Sequence, residues 1–332
     1  MTALHRLLLG IAVPVVVLCL AVAYVFFVRR PSGATPFLRV EVPADADAHS
    51  VALALQKAGA LEHPRVYEWY AHLDPLAANP RPGVYAVRRG MSYRRLATSF
   101  AFGPQREEIS MTVVEGWTIR DMISALAAKG IDARPSDFFA SRFSADFSFL
   151  QNLPADASLE GYLFPDTYRV WKDEAPDSLL RKQLNEFRNV MGSFGDDVTR
   201  SGKSLRDILI VASIVEKEVR TPEDKKIVAG IFWNRMKDGI PLQSDATLNY
   251  VIGAGRARAT ADDLQKDSPY NTYKYKGLPP GPIGNPGKDS LDAALHPTDT
   301  TYRYFLTDAS GKVYYGSTLQ EHAWNRRKAF GN

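Results

Sequence analysis

The longest apolar stretch of the chain runs from Leu7 to Val28 without one charged residue. About 20 such residues suffice to cross a bilayer core as a helix. Pro14 inside the run is compatible with that reading, because membrane helices tolerate proline. A cleaved signal peptide competes, but no small-x-small cleavage site follows a short apolar core. Cys19 could mark a lipoprotein, yet Leu18 before it is bulky where such cleavage wants a small residue. The pattern therefore predicts a cytoplasmic tail over 1–6, a transmembrane anchor over 7–28 and a linker over 29–36, in which Pro31 to Pro36 is rich in turn formers. Arg6 on one side and Arg29 and Arg30 on the other leave the positive-inside rule nearly balanced.

Beyond the linker the period changes. Leu38–Val42, Gly83–Val87 and Glu108–Val114 read as strands, and each precedes a helix opened by a hydroxyl residue: Ser50, Ser92 and Thr118. Such a hydroxyl accepts from the unpaired backbone donors of the first helical turn. Gly90 and Gly116 permit sharp strand-to-helix turns. This strand, Gly-x-Ser/Thr, helix pattern resembles LysM modules, small folds that bind N-acetylglucosamine polymers; plain packed strand–helix units with good caps would read the same way. A LysM-like domain is expected over 37–130.

From about Ala133 helical periodicity dominates. Helices are expected over Pro176–Met191, Leu205–Val219, Pro222–Met236, from Asp245, and over Thr318–Lys328. A Gly/Pro-rich loop fills Gly277–Gly287, and Tyr302–Leu306 with Val313–Tyr315 forms a hairpin. The fold class is α+β: an N-terminal transmembrane helix, a LysM-like α/β module, and a mainly helical domain over 131–332 with a small β-sheet.

Composition narrows the chemistry. With 45% hydrophobic and 23% charged residues in 332, the chain has a real core. A net charge of +4 suits anionic membrane or acidic wall polymer, but is too small and dispersed for nucleic acid. The single cysteine lies in the apolar run, so the rest of the chain has no disulfide. Gly202-Lys203-Ser204 hints at a phosphate loop, but the glycine required five residues before Gly202 is Asp197. There is no G-x-G-x-x-G, no His/Cys cluster at metal-ligand spacing and no Ser-x-x-Lys, so no cofactor or metal is expected. Only His296 and His322 lie in the second domain. Carboxylate, amide and aromatic side chains remain, the groups that glycosidases use.

The segment Asp207 to Val219 is apolar nearly all round up to Val215 and ends in Glu216-Lys217-Glu218. Two residues apart on a helix, the glutamates point about 200° from each other and cannot share one task. Glu216 falls on the stripe of Leu205, Ile208, Leu209 and Ala212, the side expected to pack inward. A carboxyl at the mouth of an apolar helix loses hydration, which raises its pKa and keeps it protonated for donation to a leaving oxygen. An ordinary solvated helix end would carry the same residues, and periodicity alone does not choose between the two.

Ala212-Ser213-Ile214-Val215-Glu216-Lys217-Glu218 resembles the signature of the MltG family (YceG-like), the endolytic murein transglycosylases. Glu160-Gly161-Tyr162-Leu163-Phe164-Pro165-Asp166-Thr167, Phe232-x-Asn234-Arg235, Leu242-Gln243-Ser244-Asp245, Tyr270-Asn271-Thr272-Tyr273, Gly277 to Ile283 and Ala294-x-His296-Pro297 resemble further family blocks in order. The resemblance implies an inner-membrane, single-pass protein whose catalytic domain faces the periplasm. It implies peptidoglycan glycan strands as substrate and peptidoglycan synthases (penicillin-binding proteins) as partners. Glu218 falls on the family's catalytic glutamate, cleaving the MurNAc–GlcNAc bond to leave 1,6-anhydro-MurNAc ends and terminate nascent strands. Gln243, Asp245, Tyr270 and Asn271 are the substrate-binding residues it implies. A hydrolytic muramidase and a non-catalytic wall-binding scaffold are the alternatives.

Overall fold

The computed structural model describes residues 3–29, 36–104, 106–253 and 260–331, with the side chains of the first helix described from residue 12 onward. The chain divides into two compact units, Met1–Arg106 and Glu107–Asn332.

In the first unit the apolar run forms α1 (Ala3–Ala23), continued by one π turn over Tyr24–Val28. Residues 12–24 are all exposed. Among the described residues no helix is long and apolar enough to cross a membrane; the side chains of residues 7–11 of the expected span, and residues 30–35 of the expected linker, lie outside what is described. Phe26 is nonetheless buried, packed on Tyr70 and Tyr93 with ring centroids 5.4 and 4.9 Å away. Next come β1 (Phe37–Val42), α2 (Ala48–Lys57), α3 (Pro64–Leu73), the single turn α4 (Pro75–Ala78), β2 (Gly83–Arg88) and α5 (Tyr93–Phe102). β1 and β2 pair antiparallel, Val40 opposite Tyr85. Ser92 caps α5 as expected, whereas α2 is capped by Asp47, whose carboxylate accepts from the Ser50 amide, and not by Ser50.

The second unit starts with the third strand–helix pair, β3 (Glu108–Thr112) and α6 (Ile119–Ala128). β3 pairs with β4 (Thr167–Trp171), a strand 55 residues on, and not with β1 or β2. The compact units therefore meet at Arg106/Glu107, whereas the apparent strand–helix repeat set a boundary at 130. Alternation of side chains reveals a strand but not its partner. Thr118 and Asp121 form the capping box of α6.

After β4 come α7 (Asp177–Ser193), the turn α8 (Asp197–Arg200), α9 (Leu205–Glu218), α10 (Pro222–Lys237), α11 (Asp245–Ile252), the turn α12 (Ala261–Leu264), α13 (Lys288–Leu295), the hairpin β5 (Tyr304–Thr307) and β6 (Val313–Gly316), and α14 (Leu319–Phe330). α9 is the centre: Ile208 through Val215 are all buried, and α10, α11 and α13 pack around it. Burying a large apolar side chain is worth about 1.5–3 kcal/mol, so this run fixes where the last turn of α9 ends. The fold is α+β, mostly helical, with two-stranded sheets. β4 and α13 carried no clear period, being a short half-exposed strand and an eight-residue helix after the glycine loop.

Candidate functional site

The two glutamates at the end of α9 lie in different surroundings. The Glu216 side chain is 8% exposed and pairs with Lys225 of α10 at 3.0 Å, itself 5% exposed. Its other oxygen accepts from the Gly287 amide (2.9 Å) and the Ser290 hydroxyl (2.7 Å) at the start of α13. Glu216 thus ties α9, α10 and α13 together, as the inward stripe predicts.

Glu218 lines an open cleft of about 1140 Å³. Its Oε1 accepts from the Ser244 hydroxyl at 2.5 Å. Ser244 is the N-cap residue of α11, and its oxygen makes no bond to its own helix; the Glu218 carboxyl takes that place and also meets the Ala246 amide in the first turn. Burial raises the Glu218 pKa above the ordinary carboxylate range; Ser244 and Ala246 hold it down, and the neighbouring charge of Asp245 adds to the rise. A carboxyl whose neutral form is favoured by desolvation therefore faces a helix N-terminus that can stabilise its anion.

The segment carrying Ser244 is held rigidly. Gln243 sits at φ 54°, a left-handed conformation unusual for a residue with a side chain. Its amide donates to the Thr272 carbonyl (3.1 Å), the Ser244 amide donates to the Thr272 hydroxyl (3.0 Å), and Arg235 donates to the Pro241 and Leu242 carbonyls. Tyr273 donates its hydroxyl to Asp245 at 2.8 Å, and burial, then that bond, raises the phenol's pKa.

Of the residues expected from sequence, the structure brings Glu218, Gln243 and Asp245 to one cleft. Asn271 is fully buried: its amide nitrogen donates to the Leu264 and Lys266 carbonyls, and its oxygen accepts from the Tyr273 and Lys274 amides. Those four bonds exhaust its capacity and shape the loop that presents Tyr273. Tyr270 does not line the cleft; it packs on Tyr250, centroids 5.1 Å apart. Tyr250, Tyr273, Arg120 and Asn249 do line it. Tyr273 stood in the quoted motif and could have been preferred; nothing local marked the others.

Glu160, 4% exposed, lies against the first turn of α6. It accepts from the Ile119 amide (3.1 Å), the Tyr250 hydroxyl (3.2 Å) and the Asn285 amide (3.3 Å), and burial pushes its pKa up to about 7. Asn285 also accepts from the Gly161 and Leu163 amides. Ser213 of α9 accepts from the Ile283 amide at 3.0 Å. Gly284 is required where it stands, since a Cβ there would meet the Gly116 carbonyl oxygen at 2.6 Å. The glycine-rich loop thus locks three motifs into one wall.

Comparison with known proteins gives the family of the chain. The YceG-like family model matches residues 40–328. An endolytic murein transglycosylase of Bacillus subtilis is 30% identical over 298 residues, 86% of this chain and 82% of its own length. One from Streptococcus pneumoniae strain D39 is 30% identical over 318 residues, 87% of this chain but 58% of its own length. The crystal structure of a YceG-like protein from Listeria monocytogenes superimposes with a TM-score of 0.57 at 28% identity, covering 88% of this chain and all of that one. Every quoted motif block falls inside the matched span, and the chain belongs to the YceG-like family, that of the endolytic murein transglycosylases.

Proposed function

We propose that the chain cleaves peptidoglycan glycan strands internally, with Glu218 as the acid and then the base. The observation that carries this is the Glu218 carboxyl, desolvated at the end of a buried helix, open to a cleft and hydrogen-bonded by Ser244. In this reading neutral Glu218 protonates the glycosidic oxygen between N-acetylmuramic acid and N-acetylglucosamine. The carboxylate so formed is held by the Ser244 hydroxyl and the Ala246 amide. It then takes the proton of the muramyl 6-hydroxyl as that oxygen attacks the anomeric carbon, leaving a 1,6-anhydro-MurNAc end. One carboxyl suffices because the nucleophile belongs to the substrate, unlike the two-carboxylate plan of most glycosidases. Gln243 and Asp245 position the sugar, and cleavage of nascent strands ends their elongation.

Mass spectrometry of digested sacculi tests the chemistry, since anhydro ends are lighter than reducing ends by one water. A muramidase, with Asp245 activating water, would give reducing ends; a binding scaffold would give no products with either Glu218 or Glu218→Gln.

We further propose that residues 7–28 anchor the chain once in the bacterial inner membrane, with residues 37–332 in the periplasm beside peptidoglycan synthases, and that the first unit is a LysM-like binder of glycan. The all-round exposure of apolar residues 12–24 along α1 supports the anchor. A reporter that works only in the cytoplasm, fused after the last residue, must stay silent. Removing residues 37–106 behind the anchor must weaken strand binding without changing the ends produced.

A further inference from the structure

One part of the cleft wall has no place in the acid–base chemistry. It is formed by Arg235 of α10, Tyr304 of β5, and His322 and Arg326 of α14. Arg235 is 6% exposed, and its three hydrogen bonds all go to backbone carbonyls, those of Pro241, Leu242 and Arg303. Among the described residues no carboxylate pairs with it. A buried guanidinium without a counter-charge is costly. Its charge lies 5.2 Å from the Tyr304 ring centroid, and the His322 ring lies 5.3 Å from the same centroid. His322 Nδ1 is buried with no hydrogen-bond partner. Burial, and then the charges of Arg235 and Arg326, push the His322 pKa below its ordinary value, which favours the neutral imidazole beside two guanidiniums. A cationic corner, with a buried and unpartnered imidazole nitrogen behind it, lines the same cleft as Glu218.

We infer that this corner is an anion subsite, in which Arg235, His322 and Arg326 receive a carboxylate carried by a muramyl residue of the strand. The inference rests on the proposed substrate. Every second sugar of that polymer bears a lactyl group, which is either a free carboxylate or the attachment point of a peptide with its own carboxylates. Guanidinium and carboxylate make strong charge-assisted bonds, so the corner sets the register in which sugars of the alternating strand reach Glu218. Arg235 also holds the Leu242 carbonyl next to Gln243, which links the subsite to the acid's own loop.

The test is binding by the full chain carrying Glu218→Gln, so that affinity is read without cleavage. Three probes are compared: peptide-bearing strands, strands stripped to the free lactyl carboxylate, and stripped strands whose carboxylates are converted to neutral amides. The neutral probe should bind about tenfold more weakly than a charged one. Exposed Arg326 is the residue to change: Arg326→Gln should bring the charged probes down to the neutral one, and Arg326→Lys should restore part of the difference. Tight binding of both charged probes names the lactyl carboxylate as the source; tight binding of the peptide-bearing strand alone names the peptide. Equal affinity for charged and neutral strands, or equal weakening of all three by Arg326→Gln, overturns the subsite while leaving strand cleavage standing. Failure to bind any strand sinks both.

Discussion

Glu216 and Glu218 are two residues apart on one helix and have opposite surroundings. Around Glu216 every oxygen is spent on packing: a buried lysine, an amide and a hydroxyl join three helices. Around Glu218 one face carries hydrogen bonds from the start of α11 and the other is open to the cleft. Glu216 is paired with a buried lysine; Glu218 is desolvated with no cation paired to it among the described residues. The same side chain therefore serves as a strut in one place and a titrating group in the other. What differs is the counter-charge the fold supplies.

Replacing the two glutamates is the most direct way to break that comparison. Glu218→Gln should lower activity by about 100- to 10,000-fold, the usual worth of general acid–base catalysis, with the fold intact. A carboxyl whose folded pKa is raised contributes stability that is lost as pH rises through the folded value, so Glu218→Gln should melt no lower than the parent at neutral pH. Activity should likewise fall on the alkaline side of that raised pKa, and the variant's residual rate should lack that limb. Glu216→Gln should do the reverse. It leaves Lys225 buried without a counter-charge, at a cost of about 3–5 kcal/mol, or about 10 °C in Tm for a unit of this size, while activity per folded molecule persists. A folded but inactive Glu216→Gln with an active Glu218→Gln would exchange their roles.

Glu160 sharpens the comparison as a third case, a carboxyl that is buried with neither cation nor open cleft. Its folded pKa of about 7 lies above the unfolded value of 4.5. Its contribution is fully present below pH 4.5 and is lost as pH rises to 7, about 3 kcal/mol in all. Denaturation across that window should show the fall, and Glu160→Gln should flatten it; an unchanged slope would mean that another group titrates there.

The smallest effect is expected at Gln243. A non-glycine residue at φ 54° is strained by about 1 kcal/mol, so Gln243→Gly should raise stability by roughly that amount or leave it level. If the side chain positions sugar, KM should rise in the same variant; a more stable enzyme with unchanged KM would make Gln243 a turn residue only.

Much of this was legible in the chain. The cap of α6 and the periods of α9, α10 and α14 located those helices, the opposite facing of the two glutamates followed from 3.6 residues per turn, and the ordered motif blocks pointed to the family. Tyr270 and Asn271 read as substrate contacts because a polar, aromatic motif looks alike whether it faces a ligand or ties up its own loop. Only the counted bonds of Asn271 distinguish the two.

Sequence by itself determined what is local: helix periodicity, the N-caps at Ser92 and Thr118, the glycine turn at Gly116 and the apolar run that becomes α1. Tertiary structure decided what depends on partners far along the chain. The partner of Glu216 is nine residues away, but its α13 contacts are more than 70 away; the partner of Glu218 is 26 away; β3 waits for a strand 55 residues later. The cationic corner gathers Arg235, Tyr304, His322 and Arg326 from three elements that share no local pattern. A carboxyl's pKa follows the charges and water around it, and those are set only when the helices have packed.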